Sequence, residues 1–254
     1  MTQEQVSIRT EDGNCPAHIF RPAGTEPCPA VLFYMDGIGI RPALFEMAER
    51  LAGAGYHVLL PDLFYRAGPY QPMDAKTVFS DPAKRAELFS RFISGATIAN
   101  VMRDTRAFLA TLDGDRRVRP AKIGTAGYCM GGRFSLSAAG RFPDRIAAAA
   151  SYHGGNLAND APDSPHLLAA NMKARIYVAG ATGDASFPEE QKARLLRPML
   201  RADETMIIEA NMNFAVHPGY DTPSIWMTIC DNYMVEANGV GECLHKTEKK
   251  VFEV

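Results

Sequence analysis

Short apolar runs separated by stretches of helical period limit what this chain can fold into more than any other feature. Residues 30–34 (AVLFY), 57–60, 122–126, 146–151, 175–179 and 205–209 have the length and content of buried strands. Pro42 opens a helical stretch in which Leu44, Phe45, Ala48, Leu51 and Ala52 share one face, and Gly53 and Gly55 end it. Residues 96–112 repeat Ile98, Val101, Met102, Thr105, Phe108, Leu109 and Leu112 at helical spacing. Further helices are expected from the turn after 122–126 to about Gly140, from Pro188 until Pro198 kinks or ends it, and near 223–237. Strands that alternate with helices need crossover connections, so the fold expected is α/β, a mostly parallel central sheet with helices on both faces. Segments near 5–9 and 17–21 are expected to add an antiparallel edge pair.

Composition removes several function classes. The chain has 254 residues, of which 46% are hydrophobic and 22% charged, and 27 basic residues face 29 acidic ones for a net charge of −2. A nucleic-acid binder usually needs a basic excess, so none is expected as a partner. No apolar run approaches the ~20 residues that cross a bilayer, so no membrane is expected either. The start, MTQEQVSIRT, lacks the features of a secretory leader. Five cysteines without a CxxC pair suit neither a disulfide framework nor a zinc ribbon, and a cytoplasmic location is expected. Residues 1–238 read as one domain and 239–254, with the lysine-rich KTEKK, as a tail of unassigned role. Nothing in the sequence fixes an oligomeric state.

The chemistry concentrates at residues 127–132, GYCMGG, between the strand at 122–126 and the helix after it. Gly-x-nucleophile-x-Gly in that setting is a nucleophile elbow, here with Cys129 as the nucleophile. The glycines are needed because side chains two residues either side of a sharp turn would strike the neighbouring strand and helix. The amides and dipole of the helix that begins there favour a thiolate and a developing oxyanion. Met130, the next residue, offers its backbone N–H to that oxyanion. The alternative for Cys129 is a buried inert thiol.

The chain resembles the dienelactone hydrolases of the α/β-hydrolase superfamily over roughly residues 5–220. The resemblance is carried by YMDGIGIRP (34–42), GYHVLLPDLFYR (55–66), GYCMGG (127–132), SYHGG (151–155) and the segment from Asp184 to Pro188. It implies an α/β-hydrolase fold and a second oxyanion donor at Gly37. It also implies an acidic side chain at Asp36 that interacts with the resting thiol, where a carboxylate would disfavour the thiolate. Asp184, after the strand at 175–179, stands where the family's triad acid lies; its other reading is a turn or helix-capping Asp. Related enzymes hold a substrate carboxylate with arginines. Arg85 lies near the place of one of these, whereas Asp221 stands where the second should come.

The order nucleophile, acid, histidine leaves the base to the loop after the last strand. The family pattern there is a His-Gly-Phe run, and this chain has ANMNFAVHPGYD. If Phe214 and Ala215 keep the family's Phe register, the histidine slot falls on Met212 and the triad is broken. If the loop has shifted, His217 is the base. His153, at the carboxyl end of the strand at 146–151, lines the pocket and is the reserve base. The long segment 61–80 is either a lid or a packed surface excursion.

The function expected is hydrolysis of a lactone or small ester by a Cys129–His217–Asp184 triad through a thioester acyl-enzyme, with neither metal nor organic cofactor. The alternative is an impaired hydrolase-fold protein that binds a small ligand or partner.

Overall fold

The computed structural model describes residues 1–120, 122–181, 183–199 and 206–212. One eight-stranded sheet organises them: β1 (Thr2–Thr10), β2 (Gly13–Arg21), β3 (Ala30–Tyr34), β4 (His57–Pro61), β5 (Ile123–Tyr128), β6 (Ile146–Tyr152), β7 (Arg175–Ala181) and β8 (Met206–Met212). Their order across the sheet is β1-β2-β4-β3-β5-β6-β7-β8. β1 and β2 form the expected antiparallel edge pair, β2 meets β4 antiparallel, and every pairing from β4 to β8 is parallel.

The helices α1 (Pro42–Gly53), α2 (Ala75–Ser80), α3 (Pro82–Glu87), α4 (Ile98–Gly114), α5 (Met130–Arg141) and α6 (Glu189–Met199) connect and cover the strands. Every residue of β3, β4, β5 and β6 is buried, as a parallel sheet covered on both faces requires. These strands have no polar face to alternate with, so they read in sequence as unbroken apolar runs. α4 starts at Ile98 because Thr97 caps it, its side chain accepting from the Asn100 N–H. Its apolar face ends inward on Thr105, whose hydroxyl lies 2.9 Å from that of the fully buried Tyr34 on β3. Pro198 lies inside α6, one residue before the last that is described there. The helix expected near 223–237 and the tail 239–254 lie outside the described residues.

The strand order positions the site. From β3 the chain moves to β4 on one side, then crosses to β5 on the other. The carboxyl ends of β3 and β5 therefore border a topological switch point, where loops diverge and open α/β sheets bind ligands. The loop after β3 holds Asp36 and Gly37, and the turn after β5 holds Cys129. Segment 61–80 is not structureless: it contains a 3₁₀ turn at Tyr65–Ala67 and the helix α2. α3 then runs into a π-helical turn, Leu88–Phe92.

Candidate active site

Cys129 stands between the last residue of β5 and the first of α5 with φ 53° and ψ −117°. A non-glycine residue rarely adopts that backbone, which costs on the order of 1–3 kcal/mol. The surrounding glycines make it possible. A Cβ on Gly131 would lie 2.3 Å from the Tyr34 carbonyl oxygen on β3, and one on Gly127 would lie 2.2 Å from the backbone of Gly131. Gly132 approaches the Ser151 hydroxyl on β6, where a Cβ would come within 2.4 Å. The turn is tied down by the Cys129 N–H, which donates to the Tyr152 carbonyl at 2.9 Å.

The thiol is partly buried, not sealed in the core. Burial pushes it up to about 11, and the carboxylates of Asp36 and Asp184 add to the shift. The backbone N–H groups of Met130 and Gly37 act on the sulfur in the opposite sense. Gly37 lies beside Met130, whose Cβ is 4.0 Å from where a Gly37 Cβ would be, so backbone from two different elements borders the thiol.

Asp36 is buried and held in a two-pronged ion pair. Arg41 donates to Oδ1 and Oδ2, both at 2.7 Å, and the Ile38 N–H donates to Oδ1 at 2.9 Å. The same guanidinium donates to the Gly39 carbonyl at 3.0 Å. Both oxygens of Asp36 therefore have a partner other than the thiol, and the carboxylate acts on Cys129 through its field. Sequence reasoning missed Arg41. Its signal was an Arg five residues after Asp36 across a short glycine-containing loop.

Asp184 follows β7. Its Oδ1 accepts from the Ser186 N–H at 2.8 Å and the Ser186 hydroxyl at 2.7 Å. Its Oδ2 is buried, takes no hydrogen bond among the described residues, and faces Nε2 of His153 at 3.4 Å. His153 also has a positive φ, 52°, and its N–H donates to the Ala179 carbonyl on β7 at 2.8 Å. Burial pushes the imidazole's pKa down, opposed by Asp184, so at neutral pH the ring is a neutral acceptor. β5 and β6 pair with Tyr128 opposite Tyr152, and Cys129 and His153 are the residues that follow. Cys129, His153 and Asp184 thus top three successive parallel strands.

His217 lies outside the described residues, and Met212 is the last residue of β8. Arg85 is exposed on α3. The cavity beside it, about 420 Å³, is lined instead by Lys84 and Arg91 with Tyr70, Met73, Leu88 and Phe92. Among the described residues no cluster of three or more His, Cys, Asp or Glu side chains could hold a metal ion, and no helix is long and apolar enough to cross a membrane.

Comparison with known proteins gives the family and the fold. The model of the dienelactone hydrolase family matches residues 15–220. A Methylorubrum extorquens protein named as a carboxymethylenebutenolidase is 28% identical over 222 residues, covering 85% of this chain and 72% of its own. An Escherichia coli protein of the same name is 29% identical over 203 residues, covering 78% and 70%. In fold, the chain is similar to a Klebsiella pneumoniae crystal structure described as a dienelactone hydrolase (TM-score 0.72, 21% identity, 92% of this chain and 97% of that one). It is also similar to a dienelactone hydrolase-like promiscuous phosphotriesterase from metagenomic libraries (TM-score 0.65, 22% identity, 91% and 97%). An elbow cysteine at the switch point of an α/β-hydrolase sheet and a family match over most of the chain lead to one conclusion: this protein is a hydrolase of the dienelactone hydrolase family.

Proposed function

We propose that the protein hydrolyses lactones or small esters through a thioester formed on Cys129. One observation carries this: a cysteine at a positive-φ elbow between β5 and α5, where Gly37 of the loop after β3 packs beside Met130. The names of the relatives, carboxymethylenebutenolidases, support a lactone as the substrate class.

A histidine takes the thiol proton as the sulfur attacks the carbonyl carbon. The carbonyl electron pair moves to oxygen, and the two amides hold the resulting oxyanion. Collapse breaks the C–O bond, and the imidazolium protonates the leaving oxygen. In a lactone that oxygen stays tethered to the acyl group. Water, deprotonated by the same imidazole, then attacks the thioester and releases the carboxylic acid with the thiolate. A thiolate is a good leaving group, so activated esters and enol-lactones suit it better than amides.

Asp184 orients the base. Chain order gives that role to His217. A second assignment is favoured by a specific contact: His153 faces the open oxygen of Asp184 at 3.4 Å and follows the strand position next to Cys129. Asp36 and Arg85 are proposed to act on the substrate side, Asp36 from its ion pair with Arg41 and Arg85 from α3. A catalytic thiol suits a reducing compartment such as the cytoplasm.

The test is a pH–rate profile on p-nitrophenyl acetate for wild type, His217→Ala and His153→Gln. The variant lacking the base should lose about 100-fold or more at pH 7. It should regain rate as the pH rises toward 11, where the thiol ionises unaided. If both single variants keep the neutral limb, neither histidine is the base.

A further inference from the structure

We propose that Tyr70 is a positioning residue for catalysis, holding the oxyanion amide of Gly37 in place from the segment after β4. The inference rests on the proposal that Gly37 is an oxyanion donor.

Gly37 has no side chain to anchor it, and a donor stabilises an oxyanion only if it is already in place. Its loop, residues 36–41, is fixed on the inner side by the fork between Arg41 and Asp36. On the outer side it is fixed by one side chain that comes from elsewhere in the chain. The Ile40 N–H donates to the Tyr70 hydroxyl at 3.0 Å, and that hydroxyl donates to Asp62 Oδ1 at 3.0 Å. Asp62 is itself tied to the sheet: its N–H donates to the Pro16 carbonyl at 2.8 Å, and its Oδ1 also accepts from the Phe64 N–H at 3.0 Å. A relay therefore runs from the end of β4, through one phenol, to the oxyanion loop.

The ring is seated as firmly as the hydroxyl. It packs edge-on against Phe64 and Phe92, with centroids 5.9 and 5.3 Å away. It also lies against Gly39, whose φ is +87° and where a Cβ would come within 2.9 Å of the Tyr70 hydroxyl oxygen. Gly39 is thus a glycine for two reasons, its backbone and the ring that presses on it. Ile93, the residue after Phe92, closes the other side, with its Cδ1 3.7 Å from where a Gly37 Cβ would be. Burial and the neighbouring Asp62 push the Tyr70 phenol's pKa up, so it keeps the proton it donates. Nothing places Tyr70 on the sulfur itself, so its effect should reach the reaction only through the loop.

The experiment compares Tyr70→Phe, Asp62→Ala and Asp62→Asn in p-nitrophenyl acetate hydrolysis and in alkylation of Cys129 by iodoacetamide, read by peptide mass spectrometry. Tyr70→Phe keeps the ring and loses the relay. It should lower kcat about tenfold, with KM and the alkylation rate within about twofold of wild type. Asp62→Ala should match it, the pair combined should be no worse than either alone, and Asp62→Asn, which still accepts, should recover most of the loss. An unchanged kcat, a loss confined to KM, or an alkylation rate that falls with kcat overturns the inference. If Cys129→Ala keeps its activity, the proposed function fails on its own account. If Cys129→Ala is dead and Tyr70→Phe is not impaired, only the role of Tyr70 fails.

Discussion

Two groups of cysteine, histidine and aspartate sit at opposite ends of the same sheet. At the carboxyl end are Cys129, His153 and Asp184. At the amino end are Cys28 just before β3, His57 at the start of β4 and Asp115 just after α4, with His57 Nε2 3.7 Å from Asp115 Oδ2. The residue types match, yet the surroundings do not. Cys28 Sγ donates to the Arg117 carbonyl at 3.7 Å, on an ordinary backbone and with no helix starting beneath it. Asp115 is occupied by Arg21 at 3.0 Å and by the Arg117 N–H at 2.9 Å. His57 is 0% exposed, so no substrate reaches it. The comparison teaches that only the trio at the carboxyl end combines an elbow with a carboxylate oxygen that takes no hydrogen bond among the described residues. Elsewhere the same side chains are packing.

The largest effect that would break this contrast is on turnover. Cys129→Ala should lower esterase activity at least about 1,000-fold, while Cys28→Ala should stay within about twofold, both measured on p-nitrophenyl acetate. Equal losses in the two would erase the distinction.

A structural effect follows. Gly131→Ala would drive a Cβ to 2.3 Å from the backbone oxygen of Tyr34. Urea unfolding should show a loss of about 3 kcal/mol, because the obstacle is backbone and not a flexible side-chain tip.

The amino end should show itself through pH. Burial pushes His57 down to about 4 from its ordinary 6.5. Between those values the unfolded chain binds the proton and the folded one does not, so stability is full above pH 6.5 and declines as the pH falls toward 4. The decline assigned to His57 is at most about 3 kcal/mol. His57→Leu should flatten that part of the acid limb in urea midpoints taken at pH 7 and 4.5. An acid limb identical to wild type would show that the buried imidazole is not its source.

Much of the architecture was legible because buried parallel strands announce themselves: AVLFY at 30–34 and the run at 146–151 have no polar face to confuse the period. The limits that shifted did so at caps and turns. Thr97 moved the start of α4, and β5 runs on through Gly127 and Tyr128 into the elbow. The elbow was legible because its glycines are forced by backbone collisions that any side chain would cause. The role of Tyr70 was not, since it reaches the Ile40 N–H through the fold and no spacing marks it, whereas Arg41 and Ser186 are sequence neighbours of Asp36 and Asp184 whose contacts depend on the local loop conformation. Tyr70 and the Ile40 N–H stand 30 residues apart and meet because β4 and β3 are neighbours. His153 was legible as a reserve base at a strand end, but its contact with Asp184 was not, because that depends on the order β6–β7 and on a positive φ at His153 itself.

The central claim is that Cys129 becomes acylated during turnover. Acid-quenching the enzyme seconds after mixing with p-nitrophenyl acetate, followed by peptide mass spectrometry, tests it most directly. The account predicts an acetyl mass on the peptide containing Cys129, removed by hydroxylamine and absent from Cys129→Ala. Acetyl on another residue in an enzyme that turns over, or full turnover in Cys129→Ala, would contradict it.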